Sequence, residues 1–465
     1  MEIRIQSVAF AGQLLRARIP FRFGKVTVTE APLVTARVEI SNGHERTVGH
    51  SADLAVPKWF EKDARKTAGE DMRELFASTL RAGRAFEGRA GTAFQIWQAA
   101  HANTTSLVDG YGLALVERAT LDAVCRSAGI SFRGALEEDV FGFDPSALLP
   151  ETAGLRSPAL LAPEPPSHVL LRHTVGGLDP LESREVTAEL RGEDGHPVAL
   201  EEDIQRFDLR AYKLKLGGDP AVDLRRLTAI ARVVAEHSKP GPLFTLDANE
   251  QYANLRELAR LLDLLAADPD GRSVLDGLAY IEQPLPREQS FDPASADDVR
   301  AISQTAPLLI DEADSSIDAF SRALAIGYRG VSVKNCKGIF RALANRALCL
   351  TRGEGAFQTS EDLTNLPVLS LQQDLTTLAA LGLPHTERNG HHFFPGLSVV
   401  PPAEAEAALV AQPDLYERQD EHIVLKIREG RLSLDCQHAT GYGCNSPISW
   451  SERSPLDRVA KELPK

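Results

Sequence analysis

Short apolar runs and helical segments alternate regularly through the middle of the chain. From about residue 168 to residue 400, β-rich runs are each followed by a segment whose apolar residues recur at helical spacing. The runs are HVLLRHTVG, AYKLKLG, LFTLDAN, LAYIEQP, PLLIDEA, GVSVKNC, AFQTSE and PHTERN. Asp219 followed by Pro220 marks the start of one long amphipathic helix, VDLRRLTAIARVVAEH. Eight strands that alternate with helices close into a parallel barrel, so the pattern predicts an α/β fold with a (β/α)8 (TIM-type) barrel in residues 168–400.

The two ends of the chain have a different pattern. Residues 1–144 mix strand-like alternation, as in TVTEAPLVTARVEI, with helical stretches such as GLALVERATLDAVCRSAG, which indicates an α+β unit. Residues 145–167 are rich in proline and alanine and have little periodicity, which is typical of a linker. Residues 401–465 return to strand-like alternation in HIVLKIREGRLSLDC. We expect this C-terminal segment to rejoin the N-terminal unit.

Composition and chain start indicate a soluble cytoplasmic protein. Of the 465 residues, 43% are hydrophobic and 25% are charged, and no apolar run is long enough to cross a bilayer. The amino terminus alternates polar and apolar residues and lacks the apolar region of a signal peptide. The five cysteines have no CxxC spacing, which suits reduced thiols better than a disulfide framework or a zinc site. We expect no membrane partner.

Net charge limits the kinds of partner. The chain has 51 basic and 65 acidic residues, a formal charge of −14, which disfavours nucleic acid and anionic membranes as partners. If the substrate is a small anion, a metal ion or buried lysines must therefore attract it locally.

Three carboxylates fall at the ends of three consecutive predicted strands. Asp247 ends LFTLD, Glu282 follows LAYI and Asp311 follows PLLI. Catalytic groups of a parallel barrel lie at the carboxyl ends of its strands, so these oxygen ligands are expected side by side at the barrel mouth. Such a set suits a hard octahedral Mg²⁺ ion, and the sequence shows no competing set of histidines and cysteines.

Lysines flank these carboxylates on both sides. Lys213 and Lys215 lie on the preceding strand and point to the same face, while Lys334 ends the strand that follows. Two neighbouring ammonium groups repel each other, and a nearby divalent cation adds to that repulsion. We therefore expect one lysine of the pair to have a lowered pKa and to act as a neutral base.

Each of these residues also has an ordinary structural explanation. Asp247 with Asn249 is typical of a helix cap, and a lysine pair on one strand is usually a solvated edge. Glu282 and Asp311 are equally suited to be salt-bridge partners of those lysines. Their occurrence in register on five successive strands favours a functional site over five independent coincidences.

The ordered motifs KLKLGGDP, LDANEQY, YIEQPLP, LIDEADSS and VSVKNCKG resemble the enolase superfamily, specifically its muconate lactonizing enzyme subgroup. The resemblance implies an α+β capping domain built from both termini around the barrel, and one Mg²⁺ per chain. It makes Asp247, Glu282 and Asp311 the metal ligands, with Asn249 supporting them. By the same resemblance, Lys215 is the base and Lys213 is the residue that tunes the base. Lys334 is the lysine on the opposite face of the substrate.

The sequence departs from the subgroup in two places. The third motif reads DEADSS rather than a shorter Asp-Glu-Ser, so Glu312 is an alternative to the preferred Asp311 as third ligand. At the eighth strand, PHTERNGHH lacks the Asp-x-Asp pair with which dipeptide epimerases hold a substrate amine, which disfavours dipeptide epimerisation. A mandelate-type His/Asp dyad is not matched, because Lys334 stands where that subgroup has an acid.

Substrate-binding candidates come from two regions. The resemblance implies two capping loops over the mouth, which contain Phe21, Arg22, Phe23, Lys25 and Trp59. The ends of the seventh and eighth strands supply Ser360, Glu361, His385, Glu387 and Asn389. We expect His391 and His392 on the surface, and Cys336 as a small thiol in the core.

The function expected from these observations is Mg²⁺-dependent removal of the proton next to a carboxylate. The outcome is racemisation, epimerisation or cycloisomerisation of a small carboxylic acid, with β-elimination by the same site as the alternative. A Schiff-base aldolase using Lys334 is a rival from another class, but it leaves three carboxylates unexplained. A barrel that binds an acid without turnover is a third possibility. A homo-oligomer is possible.

Overall fold

The computed structural model describes six stretches of the chain, residues 1–23, 26–102, 104–191, 194–353, 355–394 and 396–464. The N-terminal part is a twisted antiparallel sheet covered by helices. Its strands are β1 (Ile3–Phe23), β2 (Val26–Ser41), β3 (Arg46–Leu54) and β4 (Ala90–Gly91), and its helices are α1 (Ala68–Phe86), α2 (Ala93–His101), α3 (Leu107–Ala128) and α4 (Phe132–Glu137). β1 pairs with β2 and β2 with β3, while β4 pairs with β1.

Helix α3 lies between this sheet and the barrel. It contains the predicted helical stretch, starts where Ser106 accepts a hydrogen bond from the Asp109 amide (3.1 Å), and ends at Gly129 in a left-handed conformation (φ 70°). Almost every residue of α3 is buried, which a helix packed on two sides requires. From α3, the Glu117 carboxylate accepts the amides of Ile339 and Phe340, which begin a barrel helix. The capping helix is thereby fixed to the barrel.

The central part is the predicted barrel. Its strands are β5 (His168–Val175), β6 (Ala211–Lys215), β7 (Leu243–Asp247), β8 (Leu278–Glu282), β9 (Leu308–Ile310), β10 (Gly330–Val333), β11 (Phe357–Ser360) and β12 (His385–Arg388). All neighbours pair in parallel, and β12 pairs with β5 to close the ring. The eight runs read from the sequence are therefore confirmed as the eight barrel strands of the described residues, and the predicted fold class is confirmed.

Helices connect the strands on the outside. They are α5 (Ala188–Arg191), α6 (Leu200–Phe207), α7 (Pro220–His237), α8 (Leu255–Ala267), α9 (Pro269–Asp276), α10 (Ala296–Ile302), α11 (Ala319–Ile326), α12 (Ile339–Arg352), α13 (Leu369–Leu381) and α14 (Gly390–Phe393). The predicted cap of α7 is confirmed, because the Asp219 carboxylate accepts the amides of Ala221 and Val222 (2.9 and 3.0 Å). No helix in the described ranges combines the length and apolar character needed to span a bilayer.

The segment between the two parts, residues 145–167, contains three short 3-10 turns and no longer element. It follows the outside of the barrel next to α12, where Leu160 is fully buried and its carbonyl accepts a hydrogen bond from Arg346 (3.2 Å). The proline-rich composition explains why this segment forms turns and not a helix.

The C-terminal part contacts both the barrel and the N-terminal sheet. It contains α15 (Pro402–Ala411), β13 (Tyr416–Gln419), β14 (His422–Leu425), β15 (Arg431–Ser433), β16 (Ser454–Pro455) and α16 (Leu456–Glu462). β13 and β14 form a hairpin, and β15 adds to the barrel by pairing antiparallel with β5. β14 and β15, which lie in the run HIVLKIREGRLSLDC, do not pair with the N-terminal sheet, so a later element makes the expected return of the C-terminal segment to the N-terminal unit. The return occurs later, where β16 pairs with β1.

Candidate active site

The three predicted carboxylates meet at the carboxyl ends of adjacent strands. Asp247 and Glu282 are the last residues of β7 and β8 and are direct partners in the sheet, and Asp311 directly follows β9. All three are fully buried. The strand register, set by long-range pairing, thus brings together residues that are far apart in the sequence.

Lys213 lies at the centre of a ring of acids. Its ammonium group is 3.0 Å or less from four carboxylates, those of Asp247, Glu282, Glu361 and Glu387. Burial lowers the pKa of Lys213, but these four charges outweigh it and raise the pKa well above its usual value. The lowered pKa predicted for one lysine of the pair therefore does not belong to Lys213, because the acids around it outnumber the ammonium groups.

The other two lysines stand on opposite sides of the mouth. The Lys215 ammonium donates to Asp247 at 2.6 Å, and the Lys334 ammonium donates to Asp311 at 2.5 Å. Lys334 also lies 4.4 Å from the ring centre of Trp59, a cation–π contact with the capping part. Because β6 and β10 are separated by three strands in either direction around the ring, these lysines face each other across the site.

One carboxylate at the centre, that of Glu282, has Lys213 as its single ion-pair partner among the described residues. Both carboxylate oxygens of Glu282 are buried without a hydrogen-bond donor, and so is the side-chain oxygen of Asn249. Burial raises the pKa of Glu282 well above its usual range, and the negative charges of Asp247 and Glu361 add to this effect. Oxygen atoms without hydrogen-bond donors, lying beside further carboxylates, match the hard oxygen ligands that Mg²⁺ takes. The residues present therefore fit a Mg²⁺ ion.

Asp311 and Glu312 face different surroundings. Asp311 accepts hydrogen bonds from Ser332 and Lys334 inside the barrel. Glu312 accepts from the Asn249 side chain at 3.1 Å and lies 3.6 Å from Lys62 of the capping part. Of the two candidate ligands, Asp311 is thus the one that contacts a lysine of the substrate cavity wall, Lys334.

Backbone strain is concentrated next to these acids. Asn249, Glu250 and Gln283 directly follow β7 and β8 and have positive φ angles of 42°, 69° and 37°. Residues other than glycine rarely adopt this conformation, and it persists where surrounding structure imposes it, often at functional sites. Here the side-chain carbonyl of Gln283 accepts the amides of Asp311 and Ala313, which fixes the chain after β9.

A second polar layer lies deeper in the barrel and was not predicted. The Glu361 carboxylate accepts hydrogen bonds from Arg172 at 2.5 Å and from Tyr280 at 2.7 Å. Arg172 also contacts the His385 ring at 2.7 Å and the Tyr280 hydroxyl. A sequence signal existed for Tyr280, which is two residues before Glu282 and therefore on the same face of its strand.

The cavity above the acids is small and has two unlike walls. Its lining residues are Phe21, Phe23, Val56, Trp59, Lys215, Asn249, Lys334, Asp362, Leu363, Thr364, Glu387 and Asn389. The space they enclose measures about 20 Å³, room for roughly one water molecule. Apolar residues of the capping part form one wall, and polar strand-end residues form the other. The sequence interpretation did not include Val56, Asp362, Leu363 or Thr364.

Of the substrate-binding candidates, Phe21, Phe23, Trp59, Glu387 and Asn389 line this cavity. Glu361 is in the ring of acids around Lys213, just below it.

The remaining candidates lie elsewhere. Ser360 points out of the barrel, where its hydroxyl pairs with that of Thr386 (2.8 Å). His385 belongs to the deeper layer with Arg172, and Arg22 is not among the lining residues. Ser360 and His385 therefore lie away from the cavity, because strand alternation turns Ser360 outward and His385 is set below the acids. Lys25 lies outside the described residues.

Two further expectations have different outcomes. Cys336 is a buried free thiol, as expected. His391 and His392 are buried, so their predicted surface position is wrong. His391 joins His173 and Asp203 in a buried group whose ligand atoms lie within 4.8 Å of one another. This group could not be recognised in the sequence, because the closed barrel brings its residues together from distant positions.

Known proteins share this architecture. The chain is similar over 99% of its length to an enolase from Bradyrhizobium complexed with magnesium and mandelic acid (98% of that chain, 17% identity, TM-score 0.60). It is similar over 98% of its length to muconate lactonizing enzyme from Pseudomonas fluorescens complexed with muconolactone (98% of that chain, 14% identity, TM-score 0.62). A dipeptide epimerase from Cytophaga hutchinsonii, complexed with Mg and the dipeptide D-Ala-L-Val, matches over 97% of this chain (98% of that chain, 14% identity, TM-score 0.60).

Relationships detected from sequence are more restricted. No curated protein matches this chain. The family model described as Enolase C-terminal domain-like matches residues 198–414, which cover most of the barrel. Residues 198–414 are therefore an enolase C-terminal domain-like domain, and the resemblance of the chain to the mandelate racemase/muconate lactonizing enzyme group of the enolase superfamily is confirmed.

Proposed function

We propose that this protein is an enzyme that removes the proton next to a carboxylate with the help of Mg²⁺. The observation that carries the proposal is the row of Asp247, Glu282 and Asp311 on three adjacent strands, between Lys215 on one side and Lys334 on the other. The similar enolase and dipeptide epimerase structures, which contain magnesium, support the choice of metal.

The three acids are the proposed metal ligands, and Asn249 supports Asp247 by donating its backbone amide to that carboxylate at 2.8 Å. Mg²⁺ supplies the positive charge that stabilises the enediolate formed when the proton leaves. The net charge of −14 makes such a local cation necessary for an anionic substrate. A substrate carboxylate also meets the ammonium groups of Lys215 and Lys334 at the cavity wall.

The positions of Lys215 and Lys334 on opposite sides of the mouth suggest which residue takes and which returns the proton. In our proposal Lys215 takes the proton from one face of the substrate carbon. Lys334 returns a proton to the opposite face, which inverts the carbon and makes racemisation or epimerisation the first choice. The same pair also suits cycloisomerisation, and β-elimination is the alternative when the substrate has a leaving group on the neighbouring carbon.

The cavity walls suggest the kind of acid. Phe21, Phe23 and Trp59 form an apolar surface opposite the polar strand ends. We therefore favour a carboxylic acid whose group beyond the reacting carbon is apolar or aromatic. Because the enclosed space is small, the capping loops must move to admit it.

Solvent exchange tests the reaction. Carboxylic acids of different size are incubated with the protein in D₂O and Mg²⁺, and deuterium at the α-carbon is measured by NMR. We expect exchange that is lost with EDTA and in Lys215→Ala, while Lys239→Ala, an exposed lysine on the barrel exterior, leaves it unchanged. Exchange that survives both EDTA and Lys215→Ala contradicts the proposal.

The rival functions predict other results. A Schiff-base aldolase forms a borohydride-trapped adduct at Lys334 without metal. This reaction leaves the three buried carboxylates Asp247, Glu282 and Asp311 without a role. A non-catalytic acid-binding barrel gives Mg²⁺-dependent binding without exchange in any acid that binds.

A further inference from the structure

A group of histidines lies on the outer wall of the barrel, separate from the mouth. His173 is on β5 between Arg172 and Thr174, whose side chains contact Glu361 and Glu387 inside the barrel. Strand alternation therefore turns His173 outward. There it meets side chains from two other elements, Asp203 of α6 and His391 and His392 of α14.

The distances within this group are short. The His173 Nδ1 atom is 3.2 Å from the His391 Nε2 atom, and the Asp203 carboxylate is 3.8 Å from His173 and 3.0 Å from His392. One ligand atom each from His173, Asp203 and His391 lies within 4.8 Å of the others. Nitrogen ligands of a tetrahedral Zn²⁺ ion are about 3.4 Å apart, so small side-chain movements complete a metal site.

The polar atoms of the group lack other partners. The structure leaves Asp203 Oδ1, His391 Nδ1 and His392 Nε2 buried without a hydrogen bond, whereas Asp203 Oδ2 lies 3.0 Å from His392 Nδ1. Every member is more than nine-tenths buried, and Asp203 and His173 are almost completely so. Buried polar atoms are normally hydrogen-bonded, and unpaired ones carry a large free-energy cost unless a ligand satisfies them.

We propose that His173, Asp203 and His391 bind a Zn²⁺ ion, with His392 next to them as a fourth candidate ligand. Imidazole and carboxylate together suit Zn²⁺, whereas Mg²⁺ takes oxygen ligands and keeps several waters. This site is distinct from the proposed Mg²⁺ site, and its existence does not depend on the proposed function.

The site braces the capping part over the mouth. It joins α14 to α6 and β5, and α14 ends at Phe393, whose ring centre is 4.5 Å from that of Phe21 in the cavity wall. Arg18 of β1 donates to the His392 carbonyl at 3.0 Å. A metal that fixes α14 therefore also fixes the strand that carries Phe21.

Metal binding to the full chain tests the proposal. The chelator-treated protein is titrated with Zn²⁺ by calorimetry in excess Mg²⁺, and with Co²⁺ by visible absorption. We expect one equivalent of Zn²⁺ to bind despite Mg²⁺, Zn²⁺ to raise the Tm, and Co²⁺ to give the strong absorption of a four-coordinate site. Absence of a tight Zn²⁺ equivalent in the wild-type protein overturns the proposal and leaves a hydrogen-bonded histidine group.

Variants locate the ion. Asp203→Asn and His391→Gln keep the size of the side chain, and each is expected to weaken Zn²⁺ binding by more than about 100-fold, since changes to outer partners of a metal already cost 10–100-fold. His168→Gln, an exposed histidine on the same strand, leaves binding unchanged. Thermal melts without metal establish that each variant folds, and the wild-type Co²⁺ spectrum decides the case if one does not. Equal Zn²⁺ affinity in the wild type and both folded variants contradicts the assignment.

Discussion

Glu282 at the barrel mouth and Glu361 in the layer below it are both fully buried carboxylates, but their surroundings differ. Glu361 accepts hydrogen bonds from Arg172, Tyr280 and Lys213. Glu282 has a single ion-pair contact, with Lys213, and no hydrogen-bond donor at either oxygen. Lys213 contacts both carboxylates and so connects the two layers.

This difference in hydrogen bonding indicates that the deeper layer supports the structure and that the mouth carries the chemistry. A fully paired buried network is rigid and holds its members in one arrangement. A buried carboxylate that lacks hydrogen-bond donors destabilises the fold and is retained where a function requires it. We therefore expect changes at the mouth to affect chemistry more than stability, and changes in the deeper layer to affect stability first.

The largest effect is expected from Lys215→Ala at the mouth. Loss of a general base slows a proton transfer by about 10²–10⁴-fold. The rate of α-carbon exchange in D₂O should fall by that factor, and the loss in free energy of unfolding should be small beside it because Asp247 keeps its ion pair with Lys213. A large loss of stability with only a small loss of exchange would remove the distinction between the layers at this residue.

Arg172→Met tests the deeper layer. Removing one partner of the buried Arg172–Glu361 ion pair leaves a carboxylate charge less compensated, and the free energy of unfolding should fall by about 3–5 kcal/mol. Denaturant titration measures this loss. Arg232→Met, which removes an exposed ion pair with Asp270, should change stability by less than about 1 kcal/mol. Equal effects of the two variants would contradict a supporting role for the deeper layer.

The pH dependence of stability also tests the deeper layer, through His385. Burial and the charge of Arg172 lower the pKa of His385 from 6.5 to about 3. Below pH 6.5 the unfolded chain binds a proton that the folded chain does not, so this residue makes folding less favourable as the pH falls towards 3.

His385→Gln removes that contribution. Between pH 7 and pH 5, its free energy of unfolding should fall by about 2 kcal/mol less than that of the wild type. Denaturant titrations at the two pH values measure the difference. Identical pH dependence in both proteins would show that His385 is not held neutral by its burial.

The smallest effect is expected where the capping part meets the mouth. Arg287 donates to the carbonyls of Phe60 and Trp59 at 2.8 and 3.0 Å and holds the loop that covers the cavity. Arg287→Ala should raise KM about tenfold, equivalent to about 1.4 kcal/mol, with a smaller change in kcat. Steady-state kinetics with an acid found by solvent exchange measure this, with Arg260→Ala on the surface of α8 as the control. A fall in kcat alone would place Arg287 in the chemistry rather than in closure of the loop.

Prediction from sequence succeeded where local pattern is sufficient. The barrel strands follow from apolar runs between helical segments, and Asp247, Glu282 and Asp311 follow from their positions at strand ends. It failed for residues whose depth in the barrel, or whose inward or outward facing, depends on how the strands are staggered around the ring. His385 and Glu387 share a face, yet only the strand stagger shows that His385 lies one layer deeper, whereas Ser360 faces outward.

By itself, the sequence determined the order of the βα units and the acids and lysines that each strand end carries, because strand periodicity and helix caps are local properties of the chain. Only the tertiary structure decided which polar groups are paired. Closure of β12 onto β5 brings His391 to His173, and β15 joins the barrel and not the capping sheet. These contacts join residues more than 200 positions apart, and the physical reason is that their geometry depends on the register of the closed ring, which no short stretch of sequence specifies.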